Sequence, residues 1–111
     1  MTESIINLST FAELQEAAGA EFVTELVGTF LEEAPAMLAE LRSAQAAGAA
    51  DAFRRAAHSL KSNSHTFGAT RLGELARDLE QGGLIADSAP LDALEAEFQR
   101  VAMALKAIAN G

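Results

Sequence analysis

The sequence predicts an all-α fold: an antiparallel up-down-up-down four-helix bundle with a short capping helix at its N-terminal end. Three observations predict it. Alanine, leucine and glutamate dominate, and runs of alternating β-branched residues are missing. Apolar residues recur at steps of three and four in separate segments. The connections between those segments are short, which favours antiparallel neighbours. The 111 residues suffice for one domain spanning 1–111. A chain of this size buries roughly two-thirds of its unfolded surface, enough to fold without staples.

Each element has a local reason. Thr10-Phe11-Ala12-Glu13 resembles a capping box and is expected to start the short first helix, which Gly19 ends. A long helix is expected from about Ala20 to Ala47, with Phe22, Leu26, Phe30, Ala34, Leu38 and Leu41 as its apolar positions. Pro35 should kink or split it near Ala34, because proline lacks an N–H and clashes with the preceding turn. Gly48 marks a turn, and Asp51 is the expected cap of the next helix. There Phe53, Ala57, Leu60, Ser64 and Phe67 form the stripe predicted to be buried, and Gly68 ends the helix as a C′ residue. Thr70 is expected to cap a helix with the stripe Leu72, Leu75, Ala76 and Leu79, stopped at Gly82-Gly83. Ser88 and Pro90 open the last helix, with proline in the tolerated first turn. Its stripe, Leu91, Leu94, Phe98, Val101, Leu105 and Ile108, has bundle-seam periodicity.

Composition removes whole classes of function. With no cysteine, disulfides, thiolate catalysis and Cys-based metal sites are excluded. No signal-peptide pattern is present, and no apolar run approaches the roughly 18 residues that span a bilayer. A soluble, cytoplasmic protein without a membrane partner is expected. The net charge of −8, from 16 acidic and 8 basic side chains, argues against nucleic acid as a partner. Charge is nevertheless uneven. From Ala52 to Gly73 there are four cations, Arg54, Arg55, Lys61 and Arg71, and no Asp or Glu. A basic patch on an acidic chain implies a local anionic ligand or partner.

That window contains the chemistry-bearing run Ala57-His58-Ser59-Leu60-Lys61-Ser62-Asn63-Ser64-His65-Thr66-Phe67-Gly68-Ala69. His58, Lys61 and Ser62 stand at i, i+3 and i+4, so on a helix they share one face. Leu60 lies about 200° around the helix from His58 at 100° per residue. If Leu60 and Phe67 are buried, His58 must be largely exposed. An exposed imidazole beside a fixed cation suits the handling of a phosphoryl group. A surface histidine beside a lysine is also common and often carries no function, and spacing alone does not separate the two readings. No phosphate-binding glycine loop is present.

The surrounding residues resemble the histidine-containing phosphotransfer (HPt) domain family. Its members look like Ala-His-x-Leu-Lys-Gly-small-small-x-x-Gly-Ala, followed by a leucine-rich helix ending in Leu-Glu. The matching residues are Ala57, His58, Leu60, Lys61, Ser64, Gly68, Ala69, Leu72, Leu75, Leu79 and Glu80. The resemblance implies a phosphorelay intermediate of two-component signalling, a phosphocarrier and not an enzyme. His58 would accept a phosphoryl group on Nε2 from the aspartyl phosphate of one receiver domain and pass it to the aspartate of another. Lys61 would neutralise and orient that group. No cofactor of its own is implied, since the partner receiver would supply Mg²⁺. The implied partners are receiver domains or a hybrid sensor histidine kinase, and transfer needs only a monomer.

The remaining candidates carry two readings each. Arg54, one turn before His58, would assist Lys61 or be a solvated surface arginine, the second being favoured. Ser62 stands where the family usually has glycine, so partner fit is in question more than phosphorylation. Its hydroxyl could donate to phosphate. His65 lies two turns from His58, about 10 Å by helix rise, too far to share a metal ion with it. It is expected to contact a partner or solvent. Residues equidistant from the turn at Gly68 sit level, which puts His58 near Arg77, Asp78 and Glu80. Glu80 matches a glutamate that hydrogen-bonds the histidine in the chemotaxis-kinase branch of the family. It would orient the ring through Nδ1 or else face solvent, paired with Arg77. Two alternatives stay open: the phosphoacceptor domain of a chemotaxis-type histidine kinase, which Thr66-Phe67-Gly68 and Glu80 also resemble, and a non-catalytic adaptor that docks on a receiver.

Overall fold

The structure, a computed structural model, describes residues 5–110. Among these the chain forms five helices and no strand. They are α1 (Leu8–Ala18), α2 (Ala20–Ala47), α3 (Ala50–Thr66), α4 (Thr70–Gly82) and α5 (Ala89–Asn110). The all-helical class and the element order agree with the sequence. α2 packs on α3, α3 on α4, α4 on α5, and α5 on α2, so the four longer helices close a ring of contacts. α1 rests against α2 and α3.

The helix ends show which local signals operate. α1 starts earlier than the Thr10 capping box suggests. Its cap is Asn7, whose Oδ1 accepts the Thr10 N–H at 3.1 Å. Asparagine outranks threonine as a cap, and here it wins by three residues. Asp51 does not cap α3, nor Thr70 α4. The cap positions are Ala49 and Ala69, without side-chain bonds. Asp51 instead sits in the first turn, where an acid complements the helix dipole. At α5 the carboxylate of Asp87 accepts from the Ala89 N–H at 3.1 Å, and Pro90 falls in the first turn.

Glycine carries the turns. Gly48 and Gly68 both adopt positive φ, at 69° and 80°. Each completes a paired closure: Ala49 N–H to Ala44 O with Gly48 N–H to Gln45 O, and Ala69 N–H to Ser64 O with Gly68 N–H to His65 O. These are Schellman endings, which satisfy carbonyls the helix leaves without partners. Gly68 has a second task. Its carbonyl accepts the Asn7 N–H at 2.8 Å, and an added Cβ would lie 2.7 Å from the Asn7 carbonyl oxygen. The start of α1 therefore lies directly on the α3–α4 turn.

Two expectations for α2 need correction. The helix is continuous through Pro35 and does not split. Pro35 is exposed, and the carbonyl it leaves without an N–H partner is best tolerated near water. Phe22 is not a core residue. It is 51% exposed, Leu26 is only partly buried, and Val23 and Val27 take the core positions with Phe30, Ala34, Leu38 and Leu41. Repeated steps of four drift around a helix of 3.6 residues per turn, leaving Phe22 about 120° from the centre of the observed stripe. The stripes of α3, α4 and α5 are buried as expected, with Leu75 and Ile108 at their margins.

Phe30 of α2 joins the elements at the centre. Its ring lies 5.3 Å from that of Phe67 at the end of α3 and 6.0 Å, edge-on, from that of Phe98 on α5. At the surface Arg42 ties α2 to α5, donating to Glu95 and Asp92 at 2.7 Å each. That contact holds the Glu95 carboxyl below its usual range.

Candidate functional site

The site grows from one face of α3. Ala57 and Leu60 on either side of His58 are fully buried, which turns the imidazole outward: its side chain is 58% exposed. α4 then supplies a partner by register. His58 meets Glu80, and the His65 ring lies against Gly73, so seven residues forward on α3 match seven back on α4. The two helices run antiparallel, and the level drawn from the Gly68 turn falls on Glu80 and not on Arg77 or Asp78.

Glu80 is the hinge of the constellation. Its carboxylate is 19% exposed and bridges two side chains of α3. Oε2 stands 2.7 Å from His58 Nδ1, and Oε1 stands 2.6 Å from Lys61 Nζ. Oε1 is buried and has no hydrogen bond of good angle among the described residues, so the lysine charge at short range is what compensates it. The Glu80 carboxyl is held below the usual carboxylate range, first by Lys61 and then by His58, against desolvation that would raise it.

An ionised carboxylate can only accept. His58 Nδ1 must therefore carry the proton and donate it to Glu80. That fixes the tautomer: Nε2 of the neutral ring keeps its lone pair and is the nitrogen turned from Glu80. The ring borders an open depression of about 420 Å³ lined by Arg54, Arg55, His58, Ser59 and Glu80. Chemically, the arrangement is an oriented nitrogen nucleophile with an ammonium one helical turn away and two guanidinium groups at the rim.

Each sequence candidate now has a place. His58, Lys61 and Glu80 come together. Arg54 lines the depression, with its Nη1 3.4 Å from Asp51 Oδ1. Ser62 is exposed beside Lys61, and its backbone carbonyl accepts from the Thr66 hydroxyl. His65 is exposed two turns away, its ring seated where a Gly73 side chain would be. The solvent-facing reading of Glu80 paired with Arg77 does not hold. Arg55 and Ser59 were missed as lining residues. The spacing held a signal for Arg55, which stands at i−3 from His58 on the same side of α3. Among the described residues no cluster of three His, Cys, Asp or Glu side chains could hold a metal ion, and no helix is long and apolar enough to cross a membrane.

Comparison with known proteins gives one match. A family model described as the Hpt domain covers residues 25–104, which includes α3 and α4 entirely and the facing parts of α2 and α5. No curated protein matches the chain, and no solved structure does. A match over most of the sequence, within a range that includes His58, Lys61 and Glu80, makes this chain a member of the Hpt domain family, the histidine phosphotransfer modules of two-component phosphorelays.

Proposed function

We propose that the chain is a phosphorelay intermediate in which His58 is the phosphorylated residue. His58 Nε2 attacks the phosphorus of a receiver's aspartyl phosphate in line. The P–O bond to the aspartate breaks, and the carboxylate leaves with its electron pair. The new bond is P–Nε2. No general base is required, because Nε2 carries no proton in the tautomer that Glu80 selects. Positive charge then grows on the ring and is shared at Nδ1–H, where the Glu80 carboxylate accepts. In the return step the P–N bond breaks, the electrons go back to Nε2, and a second receiver's aspartate takes the phosphoryl group.

Such chemistry depends mainly on positioning and charge neutralisation. Lys61 is the fixed cation for the phosphoryl oxygens, and Mg²⁺ held by the partner receiver supplies the rest. The chain needs no cofactor of its own and no nucleotide. Ser62 leaves the rim open enough for a partner's backbone, since it adds one hydroxymethyl group to the family's glycine. His65, on the same seam, is a partner contact. The helices form an antiparallel up-down-up-down bundle within a single Hpt-like domain, with α1 capping one end, and the domain works as a monomer.

The observation that carries this reading is the His58 Nδ1–Glu80 contact at 2.7 Å beside Lys61. In the test, phosphorylated receiver domains with Mg²⁺ are incubated with the protein. Acid-labile phosphate should appear and should vanish in His58→Gln; labelling that survives the substitution contradicts the reading. The same Glu80 contact favours one second reading, the phosphoacceptor domain of a chemotaxis-type kinase. Labelling by such a kinase and ATP, with no receiver present, would select it.

A further inference from the structure

The depression beside His58 is bordered by two arginines, and among the described residues only one of them has an acidic partner. Arg54 Nη1 lies 3.4 Å from Asp51 Oδ1. Lys61 Nζ lies 2.6 Å from Glu80 Oε1. Among the described residues Arg55 has no acidic oxygen within ion-pair distance. Charge accounting makes this matter. Lys61 and Glu80 offset each other, as do Arg54 and Asp51, and the His58 tautomer that can attack through Nε2 carries no charge. A phosphoryl group arriving at Nε2 with its negative charge would meet a nearly balanced site. Arg55 is the uncompensated cation at the rim.

Its position also fits. At about 100° per residue, Lys61 and Arg54 fall on the Glu80 side of His58, and Arg55 falls about 60° to the other side. Helical side chains lean toward the N-terminus, so the His58 ring lies over the turn that carries Arg55. A guanidinium is permanently charged, and its planar fork matches two phosphate oxygens at once. Resting on the reading of His58 as phosphoacceptor, we propose that Arg55 is a phosphoryl-binding residue of this site. Its guanidinium holds the equatorial oxygens of the transferring group from the side opposite Lys61 and Glu80.

A receiver-free donor tests this. With phosphoramidate, the donor's P–N bond breaks, ammonia leaves with the electron pair, and the P–Nε2 bond forms, so no other reactant is needed. Phosphorylation is followed by ³¹P NMR, and the phosphohistidine signal is then titrated with pH. Arg55→Gln should slow phosphorylation by about tenfold, as loss of one charge-assisted contact does, and should move the phosphoryl titration to higher pH. Arg55→Lys should restore much of both. Arg71→Gln, an exposed cation of α4 outside the depression, controls for net charge and should change neither. Arg55 lies exposed on α3, and circular dichroism checks that each variant folds. An Arg55→Gln protein with wild-type rate and titration overturns the proposal, as does an equal effect of Arg71→Gln. A wild-type protein that takes no phosphate on His58 fails one step earlier and removes the phosphotransfer reading itself.

Discussion

At the scale of single residues, the site depends on one carboxylate serving two partners. Glu80 selects the His58 tautomer with one oxygen and holds Lys61 with the other. Its carboxyl is held below the ordinary value of 4.5, so the contacts contribute fully above that pH. They are lost as pH falls below 4.5 through the lowered folded value, because a protonated carboxyl no longer accepts from both groups. The stability difference between the wild type and Glu80→Gln, from melts at pH 3 to 7, should therefore shrink at the acid end; a difference that grows there contradicts the assignment. Lys61→Ala should slow transfer by 10- to 100-fold, about 1–3 kcal/mol for a lost charge-assisted bond. It also strands a buried Glu80 oxygen, so the single variant should melt below the Lys61→Ala, Glu80→Gln double variant. The sequence made His58 and Lys61 legible, because both lie on α3 and their facing follows from helical spacing. The Glu80 assignment needed the register of a second helix, and spacing alone left it balanced against a pair with Arg77. Arg55 stood in plain view at i−3, but only the shared depression distinguishes it from a solvated arginine.

At the scale of elements, the α3–α4 turn sets that register and anchors α1 as well. Gly68 sits at φ 80° with the Asn7 carbonyl where a side chain would begin, whereas Gly48 sits at φ 69° with open space around it. Gly48→Ala should cost about 1–2 kcal/mol, the penalty of left-handed backbone for an L-residue. Gly68→Ala should cost clearly more, because the Asn7 backbone must also move and its bond to Gly68 O is put at risk. Urea titrations that rank the two alike would contradict the docking of α1 described here. The glycines were readable as helix stops. The contact with Asn7 was not, since it joins residues 61 positions apart. The caps misled for a related reason. Thr10, Asp51 and Thr70 all satisfy the local preference, yet α1 is capped by a nearby asparagine, and α3 and α4 start directly after the glycine turns, which leaves Asp51 and Thr70 inside the first turn.

At the scale of the whole molecule, Phe30 gathers α2, the end of α3 and α5 around one ring. Phe30→Ala should cost about 3–5 kcal/mol, the range for deleting a buried aromatic side chain. That is a large share of the stability of a domain this size. Phe22→Ala, at a half-exposed ring of the same helix, should cost about 1 kcal/mol or less. Equal costs in denaturant melts would restore the stripe that spacing alone suggested. The class of the fold was legible because four amphipathic segments can bury their faces only against one another. The phase of the α2 stripe was not, because its 28 residues offer two overlapping sets of apolar positions, and tertiary packing chooses between them.

The central claim is that Glu80 leaves Nε2 of His58 as the nucleophile. The ¹H–¹⁵N spectrum of the histidine rings, recorded before and after phosphorylation, tests it most directly. The expected result is a neutral His58 protonated at Nδ1 beforehand and phosphorus bonded to Nε2 of His58 afterwards, with His65 unchanged. Phosphorus on Nδ1, phosphorus on His65, or a resting His58 protonated at Nε2 alone would contradict it.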